Sequence, residues 1–167
     1  MTGKNHMATA LLLSSVVLAT KTDISNVDCI TFSLVSMVGA LVPDIDTPTS
    51  KLGRKVPFIS IPLNLSLGHR GAMHSLLAGV LVGIGTVALN VFGGNNMWLY
   101  AFLLGFVAHL IGDLFTNSGI PLLYPFSKKH YALKVFHTGG ICDYLLTVGM
   151  TVLALYIYYL ERGLTLA

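Results

Sequence analysis

Met97-Trp-Leu-Tyr-Ala-Phe-Leu-Leu-Gly-Phe-Val-Ala-His109-Leu-Ile-Gly-Asp113-Leu-Phe115 is the stretch on which the fold turns. Its 19 residues carry no charged group or imidazole until His109 and Asp113, and about 20 such residues let an α-helix cross the hydrocarbon of a bilayer. The two polar residues stand at i and i+4, on one helical face, about 5–6 Å apart. An imidazole and a carboxylate so placed can share a cation, act as a ligand and its orienting partner, or simply hydrogen-bond to each other inside a bundle. Gly105 and Gly112 on the same segment let a neighbouring helix come close, as small residues do in membranes.

The rest of the chain repeats this pattern. Apolar residues make up 54% of the 167 and charged residues only 10%, against roughly 25% charged in soluble domains. The composition is that of an integral membrane protein. Apolar stretches cover residues 7–20, 29–42, 75–92, 97–115 and 141–160; the last three are 18, 19 and 20 residues long, the first two 14 each. The short pair cross only if their polar flanks continue the helix or the bilayer thins locally. The expected fold is therefore all-α, a polytopic membrane bundle of about five transmembrane helices forming a single membrane-embedded domain over residues 1–167. Lys4 before an apolar run also has the outline of a signal peptide, but no small-x-small cleavage motif precedes Lys21, so the segment is expected to stay, with His6. Cys29 and Cys142 fall at opposite ends of the membrane and are not expected to pair.

Alternation of spans brings six polar clusters to one side: His6, Asp44 with Asp46, His69 with His74, His109 with Asp113, His137, and Asp143. Ionisable groups at membrane depth are costly unless they function, so their convergence reads first as a metal site. That side holds Lys4, Lys51, Arg54, Lys55, Arg70, Lys128, Lys129 and Lys134, and the other only Lys21 and Arg162. The positive-inside rule then puts the N-terminus and the site in the cytoplasm.

Each cluster has a local reading. Pro43-Asp44-Ile45-Asp46-Thr47-Pro48 reads as extended chain in which both carboxylates point the same way and face a cation; the plainer reading is a cap on the next turn. His69 and His74 are about 140° apart on a helix, so both reach one centre only if His69 sits on a glycine-flanked turn. Arg70 between them suits a phosphate oxygen, or else snorkels to the interface. Residues 57–67 and 121–126 read as apolar loops. His130 reads as a solvated loop residue. Asp143 lies three residues inside the last span and needs a partner there.

Pro43-Asp44-Ile45-Asp46, Gly68-His69-Arg70-Gly71 with His74-Ser75, and His109 with Asp113, Thr116, Gly119 and Ile120-Pro121-Leu122-Leu123-Tyr124-Pro125 together resemble the YdjM family of bacterial inner-membrane proteins held to be metal-dependent hydrolases. The resemblance runs from about His6 to about Asp143. It implies a membrane-bound hydrolase that needs a metal; some relatives carry a longer glutamate where Asp143 stands. A looser likeness is to the all-helical zinc-dependent phospholipase C.

The residues alone point to hydrolysis, because a divalent ion held by His and Asp lowers the pKa of bound water to about 7 from 15.7 in bulk and polarises the bond under attack. The expected metal residues are His6, Asp44, Asp46, His69, His74, His109, Asp113 and Asp143, holding one or more ions. Asp44 or Asp46 would serve as base and Arg70 as a clamp on the substrate. Imidazole with carboxylate and no thiolate favours zinc, with manganese or iron also fitting. Membrane lipids are the expected partners, with a lipid-linked or anionic substrate cleaved at a phosphoester and no nucleic acid. Two other classes gather the same residues: a divalent-cation transporter, which should carry polar groups across the membrane, and a non-catalytic protein with a structural metal staple.

Overall fold

Ser25 and Asn96 each start a long helix by accepting a backbone N–H, from Asp28 and Trp98 respectively, which satisfies one of the donors that a helix start leaves unpaired. The computed structural model describes residues 1–21, 23–50, 52–67, 71–93 and 96–162. Six α-helices account for most of them: α1 (Gly3–Ala19), α2 (Asn26–Gly39), α3 (Pro57–Leu67), α4 (Leu76–Gly93), α5 (Met97–Leu114) and α6 (Ile141–Arg162). Short 3₁₀ turns stand at Pro43–Asp46, Gly53–Lys55 and Ala72–His74, and no extended strand occurs among the described residues.

Four segments are long and apolar enough to cross a membrane: Asn26–Asp46, Leu76–Gly93, Met97–Leu114 and Ile141–Glu161. The first joins α2 to the turn that follows it. At 17 residues α1 is shorter, and it is packed against α2, α5 and α6. It buries Asn5, His6, Ser14 and Ser15, while α4 and α6 expose Leu81, Ile84, Val91, Leu145 and Val152. Polar residues lie inside and apolar ones outside, as expected where lipid replaces water as the solvent.

Two glycines of α5 set the approach of its neighbours. A Cβ on Gly105 would stand 1.8 Å from the Ser36 carbonyl oxygen of α2, and one on Gly112 would stand 2.4 Å from the Met1 sulfur and 3.5 Å from His6. Backbone-to-backbone contact is thus built into the α2–α5 interface, and at Gly112 the α5 backbone makes room for the Met1 and His6 side chains. At one end of the bundle Leu18, Cys29, Phe32 and Ala101 make an apolar plug with Trp98 and Tyr158 against it. At the other, Phe106, Leu110 and Ile120 form a second cluster with Met73 and Leu122. Ile120 comes from the connection between α5 and α6, which folds back over that end. Its turn needs Gly119 (φ +59°), where a Cβ would meet the Tyr131 carbonyl at 2.2 Å. Both cysteines are free, Cys29 buried and Cys142 exposed.

Two sequence expectations need correction. Residues 57–67 form α3 rather than a loop: Pro57 sits at the first helical position, where its missing N–H is harmless, and Pro62 is accommodated within the helix. Eleven residues reach about 16 Å, too short to span. With Phe58 and Leu65 exposed, α3 has the form of an interfacial helix, tied down where Asn64 Nδ2 donates to the Asp46 carbonyl at 2.8 Å. The second correction is Pro43–Asp46, a 3₁₀ turn instead of extended chain, closed by Ile45 N–H to Val42 O at 3.0 Å and Thr47 N–H to Asp44 O at 3.1 Å. Proline fixes φ near the helical value, and the turn removes the period-two alignment of the two carboxylates.

Candidate metal centre

Two helices and two turns deliver the site. The last turn of α5 carries His109 and Asp113, the first turns of α1 carry His6, the 3₁₀ turn after α2 carries Asp44 and Asp46, and the turn before α4 ends on His74. His6, Asp46, His74, His109 and Asp113 are all at most 1% exposed. Asp44 is the open member, its side chain 21% exposed.

The ligand atoms converge on one point. His74 Nε2 lies 3.1 Å from His109 Nε2, 3.6 Å from Asp44 Oδ1 and 3.8 Å from Asp113 Oδ2. His109 Nε2 lies 3.9 Å from Asp44 Oδ1 and 3.6 Å from Asp113 Oδ2. A tetrahedron with metal–ligand bonds of 2.0–2.2 Å has edges of about 3.3–3.6 Å, and these five separations scatter around that length. Two overlapping triads, His6–His109–Asp113 and Asp44–His74–His109, each bring one ligand atom per residue within 4.8 Å of the others.

What lies behind the imidazoles fixes which nitrogen faces the centre. His109 Nδ1 donates to the Ala40 carbonyl at 2.7 Å, a bond made possible by the close α2–α5 packing at Gly105. His74 Nδ1 stands 3.3 Å from Asp46 Oδ2, an ion-pair contact in which neither atom completes an in-line hydrogen bond. Asp46 is held in turn by Thr47 Oγ1, which donates to its Oδ1 at 3.0 Å. Both rings therefore turn Nε2 inward, as metal-ligating histidines do when a carbonyl or carboxylate holds the other ring nitrogen. Burial alone would lower the His74 imidazole, but hydrogen bonding and charge from Asp44, Asp46 and Asp113 raise it from 6.5 to about 9. A proton sits where a cation is wanted.

The expected site residues divide accordingly. Asp44, His74, His109 and Asp113 converge. His6 stacks on His109 with ring centroids 3.6 Å apart and reaches the other oxygen of Asp113 at 3.4 Å, where the Met1 ammonium also pairs; neither His6 ring nitrogen completes a hydrogen bond. Asp46 backs His74 instead of facing the centre beside Asp44. Asp143 is not brought to the cluster: its carboxylate accepts from Asn5 Nδ2 and from Gly139 N–H at 3.0 Å, the partner that its depth required. His69 and Arg70 lie outside the described residues. His137 is exposed beside Asn117, and His130 is exposed, its Nδ1 at 3.1 Å from the Ser118 carbonyl. Sequence reading missed the Ala40 carbonyl, which carries no side-chain signal, and Asn5, whose amide next to His6 at the start of an apolar run was such a signal.

The spacing of Thr116 and Gly119 also acquires a role. Thr116 Oγ1 donates to the Asp113 carbonyl at 2.7 Å and accepts from Gly119 N–H at 3.3 Å, so the end of α5 and the loop after it are locked beneath Asp113. The chain matches the family described as YdjM inner membrane protein over residues 1–165. The chain belongs to that family. It is 40% identical over 96 residues to the inner membrane protein YdjM of Escherichia coli (strain K12), covering 54% of this chain and 47% of that one, so it spans about half the length of that relative. It is 32% identical over 123 residues to the uncharacterized protein YvsG of Bacillus subtilis (strain 168), covering 74% and 75%. The uncharacterized protein YfhP of the same organism is 31% identical over 150 residues, covering 77% of this chain and 43% of its own. No solved structure matches the chain. The family is one of inner-membrane proteins, and the four segments long and apolar enough to cross a membrane accord with that.

Proposed function

We propose that the protein is a metal-dependent hydrolase whose site faces the cytoplasm and cleaves a phosphoester of a lipid or lipid-linked substrate. The observation that carries the metal is the meeting of two inward Nε2 atoms at 3.1 Å between carboxylates from two different elements. Two imidazole nitrogens this close must share either a proton or a metal ion, and the carboxylates of Asp44 and Asp113 beside them favour the ion. Asp44, His74, His109 and Asp113 would hold it. When bound, a divalent ion supplies a nucleophile from water at neutral pH and polarises the bond attacked; zinc suits this donor set.

The protein's own groups supply the rest. Asp44, partly open while the other ligands are closed, is the side on which substrate and water arrive, and its second oxygen is placed to take a proton. Asp46 keeps His74 in one orientation. Lipid as substrate is supported by the apolar surface near the site, where Phe58 and Leu65 of α3 and Phe126 are exposed. A phosphoester is supported by Arg54, Lys55, Lys128, Lys129 and Lys134 around that end, a field that attracts anions. The same arginine and lysines support a cytoplasmic site by the positive-inside rule.

Metal-loaded protein incubated with native membrane lipids should release phosphate or a phosphorylated headgroup, and Asp44→Ala and His74→Ala should not. Cleavage of a carboxylic ester or amide with every phospholipid left intact would reject the phosphoester. One observation favours cation transport as a second reading: the buried hydroxyls of Ser14 and Ser36, inside the bundle, complete no hydrogen bond. Uptake of zinc into proteoliposomes, with no lipid turnover, would establish that reading instead.

A further inference from the structure

A polar chamber touches the metal cluster. About 350 Å³ in volume, it is bounded by the start of α1, the segment between α2 and α3, and the approach to α6, and Asp44 is the cluster residue on its wall. Since His74, His109 and Asp113 are closed to solvent while Asp44 is 21% open, this chamber is the approach to the centre.

Its wall is rich in hydroxyls and poor in charge. Thr47, Thr49, Ser50 and Thr138 line it together with Arg54 and with Met1, whose ammonium is already paired with Asp113. Arg54 is pinned rather than free to sweep. Its backbone N–H and its Nε both donate to the Ser50 carbonyl, at 3.2 and 3.3 Å, while Ser50 Oγ donates to the Asp44 carbonyl at 2.8 Å. One short turn thus carries both the metal-side carboxylate and the guanidinium. The two terminal nitrogens of Arg54 form no hydrogen bond or ion pair among the described residues. A guanidinium held by Nε and open at its fork suits a phosphoryl group, which it can meet with two parallel N–H donors.

We infer that this chamber is the headgroup site of the proposed hydrolase, that Arg54 anchors the substrate phosphoryl group there, and that only lipids with a small headgroup enter. The inference rests on the reading of the preceding section and adds the substrate class. The volume lies at the lower end of the 300–1,000 Å³ typical of small-molecule sites, which leaves room for a phosphoryl group with a small polar substituent and none for acyl chains. The chains stay outside, along α3. Thr49 and Thr138, whose hydroxyls have no hydrogen-bond partner among the described residues, supply neutral contacts to the substituent.

Binding tests this without turnover. Dioctanoyl phosphatidic acid, dioctanoylglycerol and inorganic phosphate are titrated into zinc-loaded protein in a neutral detergent, with metal content measured alongside. Phosphatidic acid should bind at least tenfold more tightly than either of the others. Arg54→Gln should lose at least tenfold in that affinity with zinc content unchanged, and Arg54→Lys should recover part of it. Thr49→Trp, which fills the chamber without removing a charge, should block binding as well. Wild-type affinity in Arg54→Gln, or loss of zinc from it, overturns the anchor; equal binding of inorganic phosphate assigns the chamber to a soluble anion and overturns the lipid. If Arg54-dependent binding is found but no lipid is ever cleaved, the hydrolase reading fails while the binding site stands.

Discussion

Asp44 and Asp46 contact opposite nitrogens of one imidazole, and their different tasks follow from the turn that carries them. Asp44 reaches His74 Nε2 at 3.6 Å and Asp46 reaches Nδ1 at 3.3 Å. Asp44→Ala should therefore abolish metal binding, whereas Asp46→Ala should weaken it about 10–100-fold, the usual effect of removing a second-shell partner. Metal content after dialysis against graded chelator distinguishes the two, and equal loss would make both direct ligands. His130→Ala, remote from the cluster, should leave content unchanged. The raised pKa of His74, about 9, gives a second test. Below that value His74 carries a proton that a metal must expel, so affinity should rise with pH and level off above about 9. Calorimetry at pH 7 in buffers of differing ionisation enthalpy should register about one proton released per ion; none released would remove His74 from the ligand set.

At the scale of elements, the contact that aims His109 is a property of helix packing. Gly105 lets the α5 backbone touch Ser36 of α2, and the neighbouring Ala40 carbonyl then takes the His109 Nδ1 proton. Gly105→Leu should cost about 1–3 kcal/mol through overpacking and lower metal affinity with it, while Gly85→Leu, where a Cβ meets nothing within 4 Å, should do neither; thermal unfolding with and without metal separates them. Asp143 belongs to the same scale. It ties α6 to Asn5 of α1, so Asp143→Ala should destabilise the protein by about 1–3 kcal/mol by taking the charged acceptor from buried Asn5, whose amide keeps only the carbonyl of residue 143, yet metal should still bind. The long helices were legible from the sequence because a bilayer sets a length of about 20 residues that apolar runs reveal. The α3 helix was not, since its 11 residues contain Pro57 and Pro62 and proline ordinarily argues for a break. The i, i+4 pair of α5 was legible for the reason that it is local. The parting of Asp44 from Asp46 was not, because it depends on a 3₁₀ turn that no periodicity encodes, and neither was the tie of Asp143 to Asn5, which joins helices from opposite ends of the chain.

Across the whole molecule the helices sort their ends into two classes. His6, Asp44, His74, His109 and Asp113 gather at one end, while Leu18, Cys29, Ala101 and Tyr158 gather at the other. Packing makes that division but has no sense of inside and outside. The charges supply it: Lys4, Arg54, Lys55, Lys128, Lys129 and Lys134 are at the His/Asp end in sequence, and Lys21 is in the connection at the other. Basic loops are retained in the cytoplasm during insertion, so the cluster should face inward, where the headgroups of the inner leaflet of the membrane are presented to it. In a background of Cys29→Ser with Cys142→Ser, a cysteine at Asp23 should react with a membrane-impermeant thiol reagent added to intact cells. Cysteines at Lys55 and Ser127 should react only after the cells are permeabilised. Labelling of positions 55 and 127 from outside, with position 23 protected, would turn the protein over, and its substrate would then have to be sought in the outer leaflet or beyond.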